Sequence, residues 1–365
     1  MWHKNEFTEK IGLQWPIIQG PFGGGLSSVA LTTTVSNLGG LGSFGAHYMT
    51  PEQIEVLCND LKAKTNKPFA INLWVSDHDP AAEKVTPKEF EEFKSYLKPI
   101  YEKLGVPLPT FPEQFGEKFE QQVEALLKAR PSVFSFVFGI PSQEVLRECR
   151  KNKILTLGTA VTVEEAMALD EAEVDVIVAS GFEAGGHRGA FLKSAEDSLM
   201  GTMSLLPQVV DRVHRPVIAG GGVTDGRGIA ASLALGASGV QIGTAFLACE
   251  ESNATDNHKN LLRSKKLLPT KLTRAFSGRL ARGIENKMMN EMGKDSAKIA
   301  PYPVQTWLTR NFKDAAASQN AWDYVALWAS QSFPQIKHQK AAELMQSLIQ
   351  ETEVVLSKFY SGPGK

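Results

Sequence analysis

The segment Ser180-Gly181-Phe182-Glu183-Ala184-Gly185-Gly186-His187-Arg188-Gly189 sets one imidazole among four glycines. An unperturbed histidine titrates near ~6.5, so it can give or take a proton at neutral pH. Flanking glycines let the backbone lie close to a ligand. His187 is therefore the candidate general acid or base. Two further glycine turns, Gly220-Gly221-Gly222 and Gly243 before Thr244, offer a different chemistry. Backbone N–H groups of Gly221, Gly222, Gly243 and Thr244 can cradle a phosphate, helped by the Thr244 hydroxyl and by the field of a following helix. The same glycines would equally serve tight strand-to-helix turns. Asn72 and Gln241 are amides inside apolar runs. A buried amide needs a partner, which a planar cofactor edge or the backbone can supply.

Other polar residues carry weaker signals. Of the seven histidines, His47, His78 and His187 follow apolar runs. His214 precedes one, and His3, His258 and His338 lie elsewhere. Asp77-His78-Asp79 reads as a solvated loop rather than a metal site, and no metal is expected. Glu183 can orient His187 or cap its own loop, and Arg188 can balance an anion or pair at the surface. Cys58, Cys149 and Cys249 are odd in number and widely spaced, with no CxxC. Reduced, buried thiols are expected rather than a disulfide framework or zinc.

These residues need elements to position them. Short apolar runs recur at 16–20, 41–46, 69–75, 132–139, 154–161, 174–181, 216–223 and 239–247. Each is nearly continuous, as a parallel strand buried on both faces should be. Helical patterns lie between them, including Pro51–Lys64, Gln143–Lys151, Val163–Glu171 and Gly226–Leu235. Thr50 before Pro51 and Thr162 before Val163 read as N-caps. Eight strands alternating with helices predict a (β/α)₈ TIM barrel, with an open α/β sheet as the competing architecture. In such a barrel the chemistry sits at the C-terminal ends of the strands, where the glycine turns fall.

Two segments break the repeat. Residues 76–130 carry six prolines between charged helical pieces. The tail holds Pro301-Tyr302-Pro303, helical stretches at Ala315–Gln331 and Ile336–Lys358, and the aromatic residues Trp322, Tyr324, Trp328 and Phe333. The expected division is a cofactor-binding barrel of residues 1–75 and 131–277, with 76–130 and 278–365 forming a lid or substrate lobe. A net charge of -1 gives no electrostatic footprint for nucleic acid. No apolar stretch is long enough to span a membrane, and the N-terminus lacks a signal-peptide pattern. A cytoplasmic protein is expected, with its oligomeric state left open.

Several segments together resemble the nitronate monooxygenase (2-nitropropane dioxygenase) family. They are PIIQGPFGG with VSNLGGLGSFGA, GFEAGGHRGAF, and PVIAGGGVTDGRGIAASLALGASGVQIGTAFL, followed by AFSGRLARGIEN and YPVQTWLT. EAGGHRG is similar to the class I branch. The resemblance implies an FMN-containing barrel that oxidises alkyl nitronates, such as propionate 3-nitronate, with O₂ to carbonyl compounds and nitrite. It implies His187 as the acid/base, able to deprotonate a nitroalkane or hold a nitronate. It implies FMN contacts at Pro21, Phe22, Gly23, Asn72, Gly185, Gly222, Gln241, Ile242, Gly243 and Thr244. Ser180 stands where the family often has glutamine, which puts one flavin hydrogen bond in question. The turn Phe22-Gly23-Gly24-Gly25 also departs from the family's pattern. Competing readings are an FMN-dependent NADH:quinone or enoyl reductase on the same barrel, a phosphate-binding isomerase or lyase, and a non-catalytic flavin carrier. No strand-end lysine supports Schiff-base chemistry.

Overall fold

The computed structural model describes residues 2–360. Residue 1 of the expected barrel range and 361–365 of the expected lobe range lie outside the described residues. All eight apolar runs contain a parallel strand: β1 (Ile17–Gln19), β2 (Gly42–Gly45), β3 (Phe69–Trp74), β4 (Val133–Val137), β5 (Leu155–Ala160), β6 (Val176–Ser180), β8 (Val217–Gly220) and β9 (Gly239–Ile242). They hydrogen-bond in the order β1-β9-β8-β6-β5-β4-β3-β2. A parallel bridge from Ile18 to Leu41, flanked by Leu41 N–H to Ile17 O and Gln19 N–H to Leu41 O at 2.9 Å each, closes the ring. The chain is a (β/α)₈ barrel.

Local chemistry explains the helices around it. Thr50 caps Pro51–Lys64 through a reciprocal box with Gln53, and Thr162 accepts from the Glu165 N–H to start Val163–Glu171. Their apolar faces cover the barrel, where Ile54, Leu57, Leu61, Ala166 and Leu169 are buried. The helix Ala341–Tyr360 packs on Gly226–Ala234 and Val29–Asn37, so the end of the tail joins the barrel wall.

A second lobe rises over the strand ends. Helix Pro87–Leu104 packs against helix Val304–Ser318 around a separate core containing Phe90, Tyr101, Phe276, Leu308 and Phe312. The Tyr101 hydroxyl donates to Leu308 O at 2.8 Å, tying the insertion after β3 to the tail. Helix Phe119–Ala129, also within that insertion, packs on Pro51–Lys64 instead.

The expected tail helix Ala315–Gln331 does not form. The chain leaves helix at Ser318, passes Asn320 at φ 60°, and continues through the short 3₁₀ turn Trp322–Tyr324 into extended backbone. Leu327 and Ala329 turn inward to the barrel core from this irregular stretch. The last helix begins at Ala341 rather than Ile336, after a second 3₁₀ turn built on Pro334.

A small antiparallel sheet joins the lobes: β7 (Gly186–His187), β10 (Thr270–Thr273) and β11 (Ala281–Ile284), in the order β10-β11-β7. Cys58, Cys149 and Cys249 are free and buried. Burial pushes the Cys58 thiol up to about 11 and Cys149 to about 12, so neither is a nucleophile at neutral pH. Among the described residues no group of acids, histidines or cysteines could hold a metal, and no helix is long and apolar enough to cross a membrane.

Candidate active site

His187 is fixed from two sides. Its backbone pairs with Ala281 across β7 and β11, and the Arg188 N–H donates to Leu280 O at 2.8 Å. Its Nε2 lies 2.8 Å from Ser277 Oγ, and the Ser277 hydroxyl donates to Arg279 O at 3.1 Å. With that hydrogen committed to a carbonyl, Oγ can only accept from His187 Nε2–H. The proton-bearing nitrogen is thereby assigned from the hydrogen-bond network. Nδ1 keeps its lone pair and has no hydrogen-bond partner among the described residues. Burial, then the charges of Arg279 and Lys313, press the imidazole pKa down to about 3. It is neutral at physiological pH, with the Nδ1 lone pair unprotonated.

The surrounding wall is aromatic and cationic. Trp74 meets His187 edge-on with ring centres 4.9 Å apart, and Trp328 lies 5.4 Å away. The Arg279 guanidinium lies 4.1 Å from the Tyr302 ring centre and 4.2 Å from that of Phe138. Its Nε donates to Asp79 Oδ1, its Nη1 to Ser76 O and its Nη2 to Ser76 Oγ, each at 2.9 Å. Arg279 is thus fixed in place beside the site, ion-paired with Asp79. Lys313, on the lobe helix above, makes no hydrogen bond or ion pair within the described residues. Burial pulls its ammonium down to about 8.

A second histidine shares Trp74. His47, just past β2, stacks face to face on the indole at 3.9 Å and 5°. Both its ring nitrogens are buried without a partner. Burial first, then the charges of His187 and Arg279, hold its pKa well below the usual histidine value. A Cβ on Gly23 would lie 2.3 Å from His47 Cε1, so only glycine fits beside this ring.

The glycine turns also meet at this mouth. The Phe22 N–H donates to Ser27 Oγ at 3.0 Å, and the Gly45 N–H donates to the same oxygen at 3.1 Å, fixing the turn that carries Pro21, Phe22 and Gly23. The Phe22 ring lies over Gly243, 3.8 Å from where a Cβ would stand. Gly221 and Gly222 take φ values of 93° and 75°, which side chains rarely adopt. Among the described residues the N–H groups of Gly221, Gly222, Gly243 and Thr244 have no protein acceptor. That is the donor set a phosphate requires, so the residues present fit the expected FMN phosphate. The helix after Gly243 is only Thr244–Leu247, so the expected help from a helix field is slight there.

Other expected residues divide by what they touch. Asn72 Nδ2 donates to Ser135 Oγ at 2.7 Å, leaving its carbonyl oxygen without a partner among the described residues. Ser180 and Gln241 are half-buried at the rim, their side chains unbonded among the described residues. Ile242 is fully buried and its carbonyl accepts from the Gly20 N–H at 2.9 Å. Arg188 is buried and donates to Gly181 O at 2.7 Å and Ser180 O at 2.9 Å, holding its own loop. Glu183 accepts from the Thr202 N–H at 3.0 Å, a cap that leaves His187 to Ser277. His78 bonds Asp77 and Glu83 outside the pocket. Sequence reasoning missed Ser277, Arg279 and Trp74, and placed His47 only by its position after a strand.

A closed (β/α)₈ barrel with a phosphate-type cradle beside a poised imidazole defines a cofactor-binding barrel enzyme. The family model for nitronate monooxygenase matches residues 4–351. A probable nitronate monooxygenase of Staphylococcus haemolyticus is 40% identical over 98% of this chain and 99% of its own length. One from Staphylococcus aureus is 37% identical over 98% and 99%. A nitroalkane oxidase structure from Streptomyces ansochromogenes superposes with a TM-score of 0.89 at 35% identity, covering 97% of this chain and all of that one. FabK from Thermotoga maritima, at 23% identity and a TM-score of 0.77 over 98% and 99%, shares the fold. The chain belongs to the nitronate monooxygenase family and is a flavin-using oxidoreductase.

Proposed function

We propose that this protein is an FMN-dependent nitronate monooxygenase that oxidises alkyl nitronates, propionate 3-nitronate among them, with O₂ to carbonyl compounds and nitrite. One observation carries the reading: a neutral His187, tautomerically fixed by Ser277, lies in the field of Lys313 and of Arg279, the latter paired with Asp79. Such a pocket receives an anion and can make one from a neutral nitroalkane. Nδ1 takes the α-proton, and Ser277 keeps the ring aimed while it does so. Arg279 has three of its five N–H donors committed, so it stabilises the anion chiefly through charge. Lys313 has its donors free and supplies direct hydrogen bonds. Trp74, Phe138 and Tyr302 exclude water around them, which strengthens both interactions.

FMN would be held at its phosphate by Gly221, Gly222, Gly243 and Thr244. Pro21, Phe22, Gly23, Asn72, Ser180, Gly185, Gln241 and the Ile242 backbone would line the rest of its length. Bound FMN supplies the redox chemistry that passes electrons from nitronate to O₂. In this reading the barrel carries the cofactor, and the lobe built from 82–104 and 275–324 is the lid over the substrate. The setting is the cytoplasm, in keeping with three free buried thiols. The purified chain should release FMN on denaturation, consume O₂ with propionate 3-nitronate and form nitrite. A folded, flavin-loaded preparation that forms no nitrite from any alkyl nitronate would refute the assignment.

A further inference from the structure

The tail segment Trp328–Ser332 leaves the lobe and crosses the mouth of the barrel. It is stitched there by its backbone. The Ser330 N–H donates to Thr244 Oγ1 at 3.0 Å, and the Gln331 N–H donates to Glu183 O at 3.0 Å. A Cβ on Gly185 would lie 2.5 Å from the Ala329 carbonyl carbon and 2.6 Å from the Ser330 nitrogen. Gly185 is what allows the tail to lie flat on the histidine loop.

This path brings two hydroxyls to the glycine cradle. Ser330 Oγ is 3.1 Å from Ser332 Oγ, which is 2.5 Å from Thr224 Oγ1. Ser330 and Thr224 are buried, at 6% and 5% exposed. Three hydroxyls bring three hydrogens, and the two links between them use two. Thr244 accepts from Ser330, and its own hydroxyl hydrogen has no acceptor among the described residues. Two O–H donors are therefore left over beside the four free N–H groups of Gly221, Gly222, Gly243 and Thr244. The nearby carboxylates are committed elsewhere: Asp225 to the Arg227 N–H and guanidinium, Glu183 to the Thr202 N–H. A cluster of donors without an acceptor matches a dianionic phosphate monoester, whose several oxygens accept from all sides.

Resting on the FMN reading above, we propose that Ser330 and Ser332 of the tail complete the cofactor's phosphate site and select FMN over riboflavin. The same five-residue segment carries Trp328, part of the His187 wall, so the phosphate also anchors one side of the substrate pocket.

The test is equilibrium flavin binding to the full chain, read by flavin fluorescence on dilution of the FMN-loaded protein and after reloading with riboflavin. The S330A/S332A variant should bind FMN at least about 10-fold more weakly, the scale of losing a hydrogen bond to a charged group. Its riboflavin affinity should stay within about 2-fold of wild type, since riboflavin has no phosphate to lose. Should the double variant fail to fold, S332A alone carries the same comparison at a half-buried position. Unchanged FMN affinity, or equal losses for FMN and riboflavin, would overturn the proposal and leave the flavin reading standing. A folded wild-type chain that binds neither flavin would overturn both.

Discussion

Nδ1 of His187 is available because Ser277 occupies Nε2 and burial keeps the ring unprotonated. His187→Asn should therefore retain flavin and lose at least about 10²-fold in turnover of neutral nitroalkanes, the usual scale of a general base. Preformed nitronates need no deprotonation and should suffer less; equal losses on both, read by nitrite formation, would contradict the base role. Lys313 works the other way. Its ammonium is charged below a pKa of about 8 and discharges above it. Wild-type kcat/KM on an anionic nitronate should then fall as pH rises through 8, while Lys313→Met should be flat there with KM raised roughly 10-fold. A pH profile unchanged by the substitution would remove Lys313 from substrate binding. Of these residues the sequence made His187 legible, because glycines crowd around it within one loop. Ser277 and Arg279 lie about 90 positions away and reach it only through the pairing of β7 with β11, which no local pattern announces. The indole of Trp74 looked like any apolar strand residue.

The turn after β1 shows how elements place these side chains. Gly23 exists for the His47 ring, which in turn stacks on Trp74 at the end of β3. A methyl at Gly23 would have to displace an imidazole packed face-on against an indole. Gly23→Ala should cost about 1–3 kcal/mol as overpacking and loosen flavin, seen as a lower Tm and faster flavin release. An unaltered Tm would show that the ring moves aside freely. At this scale the sequence was largely readable. All eight strands fell within the apolar runs, since a strand buried on both faces has no polar alternation to confuse it. The capped helices were equally plain. The tail was not, because Trp322, Tyr324 and Trp328 suggested an amphipathic helix where irregular backbone packs on both lobes. Helix Phe119–Ala129 has the composition of its insertion but the packing of the barrel wall, a distinction only tertiary contact makes.

Among the described residues, His47 and His258 are buried and His187 is half-buried, and all three are held neutral. Burial takes His258 to about 4 and His187 to about 3, and holds His47 well below its ordinary value. The unfolded chain binds these protons near ~6.5, so between that value and the folded ones it holds more of them and stability rises with pH. Each contributes a slope of up to about 1.4 kcal/mol per pH unit in that window. The Tm should thus fall steadily on acidification from neutrality toward pH about 4, and His258→Gln, which removes the ring that bonds the Trp328 carbonyl at 3.1 Å, should lessen the slope. A Tm independent of pH over this range would show that the three sites are not held neutral.

The proposed function joins this barrel to a particular electron donor. Anaerobic stopped-flow mixing of the flavin-loaded chain with propionate 3-nitronate, and separately with NADH, addresses it most directly. Rapid loss of oxidised-flavin absorbance is expected with the nitronate and slow or no loss with NADH, with nitrite formed once O₂ is admitted. Rapid bleaching by NADH with no response to nitronate would contradict it and make the protein a reductase on the same fold.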